Sequence, residues 1–373
     1  MIKSYSQKQK AKTHFNLIMI MISSRNHLSA FLLLSVVIAA GIFVVNNTPQ
    51  ADALSLSNDG GLNRRDILIG GSAAAAAAAN FPFASWASGN DKAAPIAILG
   101  ASGRTGALCV ASCLRRGLPV KALTRSGTWP PAKTDLKAVG YDGDATPSNP
   151  LLTIEACDVK NAESLMASLA GCRAVIYAAS ASKNGGNSKE IDGDGVIAAG
   201  ESCLKNKVGR YIVLSSGGTT RPNSLGFRFT EMAVAGIMTN KRLGEVGVAN
   251  AFAKDGKSSS SYTIVRPGGL DEPKQNIILG PSALEITQGD VLAGFVSRAD
   301  VAEAALELAL SSVPNVQNTA FELYYGNKVV PVDRKYKKYY ADPDNEVVAR
   351  LHGDSYEELF KGIQSNYDYL VDP

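Results

Sequence analysis

Histidine is scarce in this chain, with 3 in 373 residues, and only His352 lies beyond residue 90. A Ser-His-Asp hydrolase therefore has no base to build on in the body of the protein. The 5 cysteines, Cys109, Cys113, Cys157, Cys172 and Cys203, are odd in number and contain no Cys-x-x-Cys pair. This argues against a disulfide framework and against a zinc or other metal site, and because each cysteine falls in a stretch that reads as helix or strand, buried thiols are expected. Acidic residues are missing altogether before Asp52, whereas Lys3, Lys8, Lys10, Lys12 and Arg25 precede it. Those five positive charges exceed the whole-chain net of +4, which leaves about −1 for everything after them. A body so balanced lacks the electrostatic footprint of a nucleic-acid binder.

The basic start leads into an uncharged apolar run, 28–45, close to the shortest that spans a bilayer, followed by the small-residue exit Ala51-Asp52-Ala53. That combination describes a secretory-type signal or, if uncut, a membrane anchor. A second pattern follows, Arg64-Arg65, an alanine run over 73–79 and Ala84-Ser85-Trp86-Ala87, which reads as a twin-arginine signal with its own cleavage site or as an alanine-rich linker. Two signals in tandem resemble the layered targeting of plastid proteins in algae whose plastids lie inside the secretory pathway, the second part resembling a thylakoid-lumen address. Residues 1–90, with signal-type segments 28–45 and 63–89, are thus expected to be a targeting region, and the mature chain to begin near Gly89. The expected location is the plastid, stroma or lumen, with membrane anchoring through 28–45 in the secretory pathway as the alternative.

The body is organised around Pro95-Ile-Ala-Ile-Leu-Gly100-Ala-Ser-Gly103-Arg-Thr-Gly106. Four apolar residues stopped by glycine predict a strand buried on both faces, and the glycine triplet predicts the turn into a helix that ends at Gly117. Gly100 suits the tight turn, Gly103 lets a pyrophosphate approach the backbone, and Gly106 lets the helix lie close to its strand. Ser102, Arg104 and Thr105 share this turn, and a diphosphate is expected at the positive end of the helix.

Further strands are predicted at 119–125, 151–157, 173–180 and 211–218, with a helix from the Asn161 cap to Leu169 and another over 194–207. The stretch 127–150 reads as a long loop with a short helix near 134–139, and 185–195 as a glycine-rich loop. Strand alternating with helix predicts an α/β fold, a doubly wound parallel sheet of the Rossmann kind with ligands at the carboxyl ends of the strands. At the second strand tip, Thr124-Arg125-Ser126 offers a cation and no carboxylate, which favours the 2′-phosphate of NADP over the free ribose of NAD. Asp158 and Val159 end the third strand, where the adenine is expected, and Ala178 and Ala179 should pass along the cofactor. A capping box, Ser297-Arg-Ala-Asp300, opens a helix to Leu310.

Taken in order, the glycine triplet, Arg125, Asp158-Val159, Asp192-Gly-Asp-Gly195, Ser215-Ser216, Lys241-Arg-x-x-Glu245 and Val265-Arg266-Pro267-Gly268 resemble the atypical short-chain dehydrogenase/reductases, in their plastid and cyanobacterial branch, which includes assembly-factor-like proteins. The resemblance covers about 94–326 and implies an NAD(P)-binding domain there, with cofactor contacts extending to Lys241 and Pro267 and a C-terminal extension over 327–373. Active members use a serine, a tyrosine and a lysine four residues after the tyrosine, the tyrosine donating a proton while hydride arrives from the nicotinamide. Here Ile237 stands four residues before Lys241, and no tyrosine lies between Ser216 and Lys241. Tyr324 and Lys328 repeat the spacing after a late strand and read as a chance match. Ser216 and Lys241 are the catalytic candidates that remain, Ser216 to orient a carbonyl and Lys241 to hold the nicotinamide ribose. Two functions follow: an NADPH-dependent reductase of a small molecule whose proton comes from solvent or substrate, or a non-catalytic nucleotide-binding partner of a protein complex under assembly, such as a photosynthetic one. A sugar-nucleotide epimerase would need the tyrosine. The segment 268–294 is expected to cover the substrate, and 355–367 to form a helix docked on the body.

Overall fold

Strand β1 (Ile96–Leu99) is apolar at every position because both of its faces are covered. Ile96 and Ile98 pack with helices α1 (Arg104–Arg115) and α6 (Arg298–Leu310), whereas Ala97 and Leu99 pack with α2 (Ala162–Ser168), α3 (Gly195–Lys205) and α5 (Ile237–Asp255). The structure, a computed structural model, describes residues 94–129, 135–182, 185–256, 259–271, 277–337 and 348–367. The expected targeting region and its segments 28–45 and 63–89 lie outside the described residues.

The central sheet has eight strands in the order β3-β2-β1-β4-β5-β6-β11-β8, formed by β2 (Val120–Thr124), β3 (Leu152–Ala156), β4 (Ala174–Tyr177), β5 (Arg210–Leu214), β6 (Ser261–Pro267), β8 (Leu284–Thr287) and β11 (Thr319–Tyr325). All neighbours are parallel except β8, which pairs antiparallel with β11. This is the doubly wound α/β sheet that the alternation predicts. Local chemistry sets its helix ends as expected: Asn161 accepts from Ser164 N at 3.0 Å, and Ser297 Oγ accepts from Asp300 N at 2.9 Å. All five cysteines are buried and unpaired by disulfides, and burial pushes the Cys113 thiol up to about 12 and Cys172 to about 11, so neither is a thiolate near neutrality.

Four stretches depart from the sequence reading. The predicted loop 185–195 is helical from Lys189, a π-helical turn Lys189–Asp194 leading into α3, because Asn187 caps Lys189 N at 2.9 Å and Tyr177 OH donates to Ile191 O at 2.6 Å. Residues Leu225–Ala233 form a helix, α4, capped by Ser224, whose Oγ accepts from Phe227 N at 3.2 Å. The segment 268–294 is more than a cover. It supplies edge strand β8, the short β9 (Leu292–Ala293) and, before it, β7 (Gly269–Asp271), which pairs with β10 (Phe295–Ser297). The tail helix α7 (Tyr356–Lys361) stops short of residue 367, since Asn315 Nδ2 donates to the Lys361 and Ile363 carbonyls at 3.0 and 2.9 Å. Leu359, Phe360 and Ile363 are buried in the core that includes Phe321, so this helix docks on the body.

Candidate functional site

Strand order reverses between β1 and β4, since β2 and β3 build outward on one side and β4 opens the other. Open α/β sheets bind ligands in the crevice at the carboxyl ends of the strands at such a point. The glycine turn stands there. Gly100 has φ +78°, and a Cβ on it would lie 2.6 Å from Ala179 Cα, so both the backbone sign and the approach of the β4 tip require glycine. A Cβ on Gly106 would run into Gly100 O, which is why α1 can lie against the end of β1. Gly103 is exposed and extended, and its Cβ would meet Gly100 O at 3.1 Å and Ala178 O at 4.0 Å, filling the mouth of the turn. No side chain caps α1, and its first turn has no acidic residue. A cradle that a Cβ would fill, at an uncapped positive helix end, fits a diphosphate. Ser102 and Arg104 beside it are exposed, and Thr105 is half-buried.

On the β2 side, Leu123 O accepts from Gly100 N and Ala101 N at 3.1 Å each, which fixes the turn to the neighbouring strand. Arg125 lies exposed in the bend just after β2, and among the described residues no carboxylate pairs with it. Asp158, half-buried at the end of β3, accepts from Lys160 N at 3.0 Å, whereas Val159 is buried in the core beside α3.

On the β4 side, Ala178 N donates to Leu99 O at 2.9 Å, holding the half-buried Ala178 and Ala179 along the crevice. A small cleft continues from there, lined by Ala179, Asp192, Val196, Val213, Leu214, Ser215 and Lys241. Lys241 is no surface lysine: its Nζ is 2.7 Å from Asp192 Oδ1, and its side chain is 12% exposed. Ser215 Oγ donates to Glu245 Oε1 at 2.5 Å, and Ser216 Oγ donates to Gly217 O at 3.2 Å. Both strand-end serines are half-buried, and of the two it is Ser215 that lines the cleft. Ile237 is buried as the first residue of α5, and Tyr324 is buried with its OH donating to Thr287 Oγ1 at 2.7 Å, so its phenol is engaged in the core.

Under the cleft, Arg266 donates to Glu245 through Nε and Nη2 at 3.1 and 2.8 Å and to Glu322 through Nη1 at 3.1 Å. Burial pushes the Glu245 carboxyl up, but Arg266 and Ser215 outweigh it and hold Glu245 below its ordinary value, whereas burial and the charge of Asp290 push Glu322 up to about 8. Pro267, buried at the end of β6, accepts from Gly217 N at 2.8 Å and so ties the loop after β5. Sequence reasoning gave no role to Asp192 or to the Glu245–Arg266 pair. The signal for Asp192 was the pair of glycines near it, Gly195 and Gly244, which mark close approach of main chains.

Strand order, glycine turn and uncapped helix together define an NAD(P)-binding Rossmann-fold protein. Residues 100–312, more than half of the chain, match the family described as NAD(P)H-binding, and the chain belongs to that family. It is 29% identical over 228 residues to an uncharacterised chloroplastic protein of Arabidopsis thaliana, covering 59% of this chain and 73% of that one. It is also 29% identical over 242 residues to the chloroplastic protein TIC 62 of Oryza sativa subsp. japonica, covering 62% of this chain and 45% of TIC 62. Among solved structures, an oxidoreductase of Lactococcus lactis superposes with a TM-score of 0.47 at 18% identity, over 68% of this chain and 99% of that chain.

Proposed function

We propose that the protein binds NADP(H) in preference to NAD(H) and reduces a small molecule with it. The observation that carries this reading is the glycine turn at the point of strand reversal, with Lys241 in the adjoining cleft. Gly103 and the start of α1 would hold the diphosphate, with Ser102, Arg104 and Thr105 around it. Arg125 would meet the 2′-phosphate, Asp158 and Val159 would border the adenine, and Ala178, Ala179, Lys241 and Pro267 would flank the nicotinamide half. When bound, the nucleotide supplies hydride. Lys241 then holds the ribose, Ser216 orients the carbonyl, and the proton comes from solvent or from the substrate. Ile237 favours a second reading, a nucleotide-binding scaffold for a complex under assembly, because it puts an aliphatic side chain where active relatives of the resembled class carry a proton donor.

Two chloroplastic relatives support a plastid location, in stroma or lumen, with membrane association through 28–45 if that segment stays uncut. The test is calorimetry with NADPH and NADH, before and after Arg125→Ala, followed by NADPH oxidation against a panel of carbonyls and quinones. A charge-assisted contact contributes about 1.5–3 kcal/mol, so about tenfold or greater preference for NADPH is expected, lost in the variant. Equal affinities in the unaltered protein would refute the preference, and tight binding without turnover would favour the scaffold.

A further inference from the structure

Helix α5 lies very close to the π-helical turn 189–194. A Cβ on Gly244 would collide with Asp192 O, so it is this glycine that permits the approach, whereas one on Gly193 would meet Asn240 O at an ordinary 3.6 Å. The approach delivers Lys241 to Asp192. The Asp192 side chain is fully buried, and Oδ1 accepts from Ser180 Oγ at 2.6 Å and from Lys241 Nζ at 2.7 Å, while Oδ2 accepts from Ala181 N at 2.9 Å. A buried carboxylate is unfavourable unless it is paired and hydrogen-bonded, and here one cation and two donors do both. The same turn carries an internal comparison. Lys189 Nζ is also 2.7 Å from Asp194, but those side chains are 68% and 60% exposed, as an ordinary surface pair is.

We propose that Asp192 is the positioning residue of this site, fixing the Lys241 ammonium and the β4 tip in one arrangement before the nucleotide arrives. The inference rests on the nucleotide reading given above. A lysine on a flexible stem must otherwise be ordered on binding, and ordering it beforehand improves affinity. Asp192 also reaches the diphosphate turn, because the tip it holds through Ser180 and Ala181 continues into Ala179, the residue packed on Gly100. Since Ile237 replaces the tyrosine, the lysine's partner here is a carboxylate and no phenol competes for it.

The experiment is a double-mutant cycle on the full chain, with NADPH dissociation constants and melting temperatures measured for the unaltered protein, Asp192→Asn, Lys241→Met and the double variant. If Asp192 acts through Lys241, each single change weakens NADPH binding about tenfold and the double variant is no weaker than the weaker single. Additive losses, or an Asp192→Asn affinity within twofold of the unaltered protein, overturn the proposal while leaving the nucleotide site standing. Absence of NADPH binding by the unaltered protein overturns both. Should Asp192→Asn not fold, acetylation of the unaltered protein by acetic anhydride, followed by mass spectrometry, decides the matter. Lys241 is expected to react more slowly than Lys189 and more slowly again with NADPH present, and equal rates or no effect of NADPH overturn the assignment.

Discussion

Replacing Arg266 by Met removes one cation from a place where two carboxylates depend on it. The side chains of Arg266, Glu245 and Glu322 are each 1% exposed, and the guanidinium makes three hydrogen bonds of 2.8–3.1 Å to them. Breaking a buried pair from one side costs about 3–5 kcal/mol, because the remaining charge has neither partner nor water. At about 2–4 °C per kcal/mol for a domain of this size, the melting temperature should fall by roughly 6–20 °C near pH 8. The sign with pH follows from the carboxyls. Arg266 is what holds Glu245 below its ordinary value of 4.5 against burial, and without it both Glu245 and Glu322 move up. A carboxyl raised in the folded state stabilises below its unfolded value and loses that contribution as pH rises through the folded value. The deficit of Arg266→Met should therefore be small near pH 5 and large at pH 8, read by thermal and urea unfolding at both. An equal deficit at the two pH values, or a shift at pH 8 under about 2 °C, would refute the reasoning.

Glu322 is raised to about 8, so its contribution is full below about 4.5 and is lost as pH rises through 8; Glu322→Gln should gain stability relative to the unaltered protein between pH 5 and pH 9, and urea midpoints that keep a constant difference would show that Glu322 does not titrate there. Gly103→Val should abolish NADPH binding in calorimetry while lowering the melting temperature only slightly, since the new Cβ meets Gly100 O at a tight 3.1 Å in an extended backbone that valine accepts; binding at unaltered affinity would move the diphosphate elsewhere. Ser297→Ala removes the α6 cap and a 2.8 Å bond to Ile277 O, and should cost about 1 kcal/mol by urea unfolding, with no change in nucleotide affinity.

What was legible in the sequence is what is dictated locally. The run Ile96–Leu99 is apolar because its own two faces are covered, and the glycine turn declares itself because Gly100 and Gly106 answer main-chain contacts that no side chain allows. Strand β8 was not legible, because buried Glu285 and Thr287 look like surface residues until distant partners reach them. Arg350 supplies two bonds to Glu285, at 2.7 and 2.8 Å, and Tyr324 one to Thr287. Helix α4 was hidden for the opposite reason. It buries Phe227 and leaves Leu225 and Met232 70% and 78% exposed, so its apolar residues trace no stripe toward the core. At the site, the glycine cradle could be read in advance, but the pairing of Asp192 with Lys241 needed two elements brought together by Gly244.

Helix α5 joins the cleft to the core. Lys241 and Glu245 are four residues apart and so share one face of that helix, the first reaching Asp192 in the cleft and the second reaching Arg266 beneath it. Glu245 also accepts from Ser215, the residue that lines the cleft beside Lys241. The arginine of the Val-Arg-Pro-Gly segment therefore fixes, through Glu245, both the strand-end serine and the helix that carries the cleft's cation. Ile237 lies on this same face, one turn before Lys241, and is buried. Where active members of the resembled class carry a tyrosine, this face thus carries a packed aliphatic side chain, and it is held by the anchoring of Lys241 from Asp192 on one side and of α5 from Arg266 on the other.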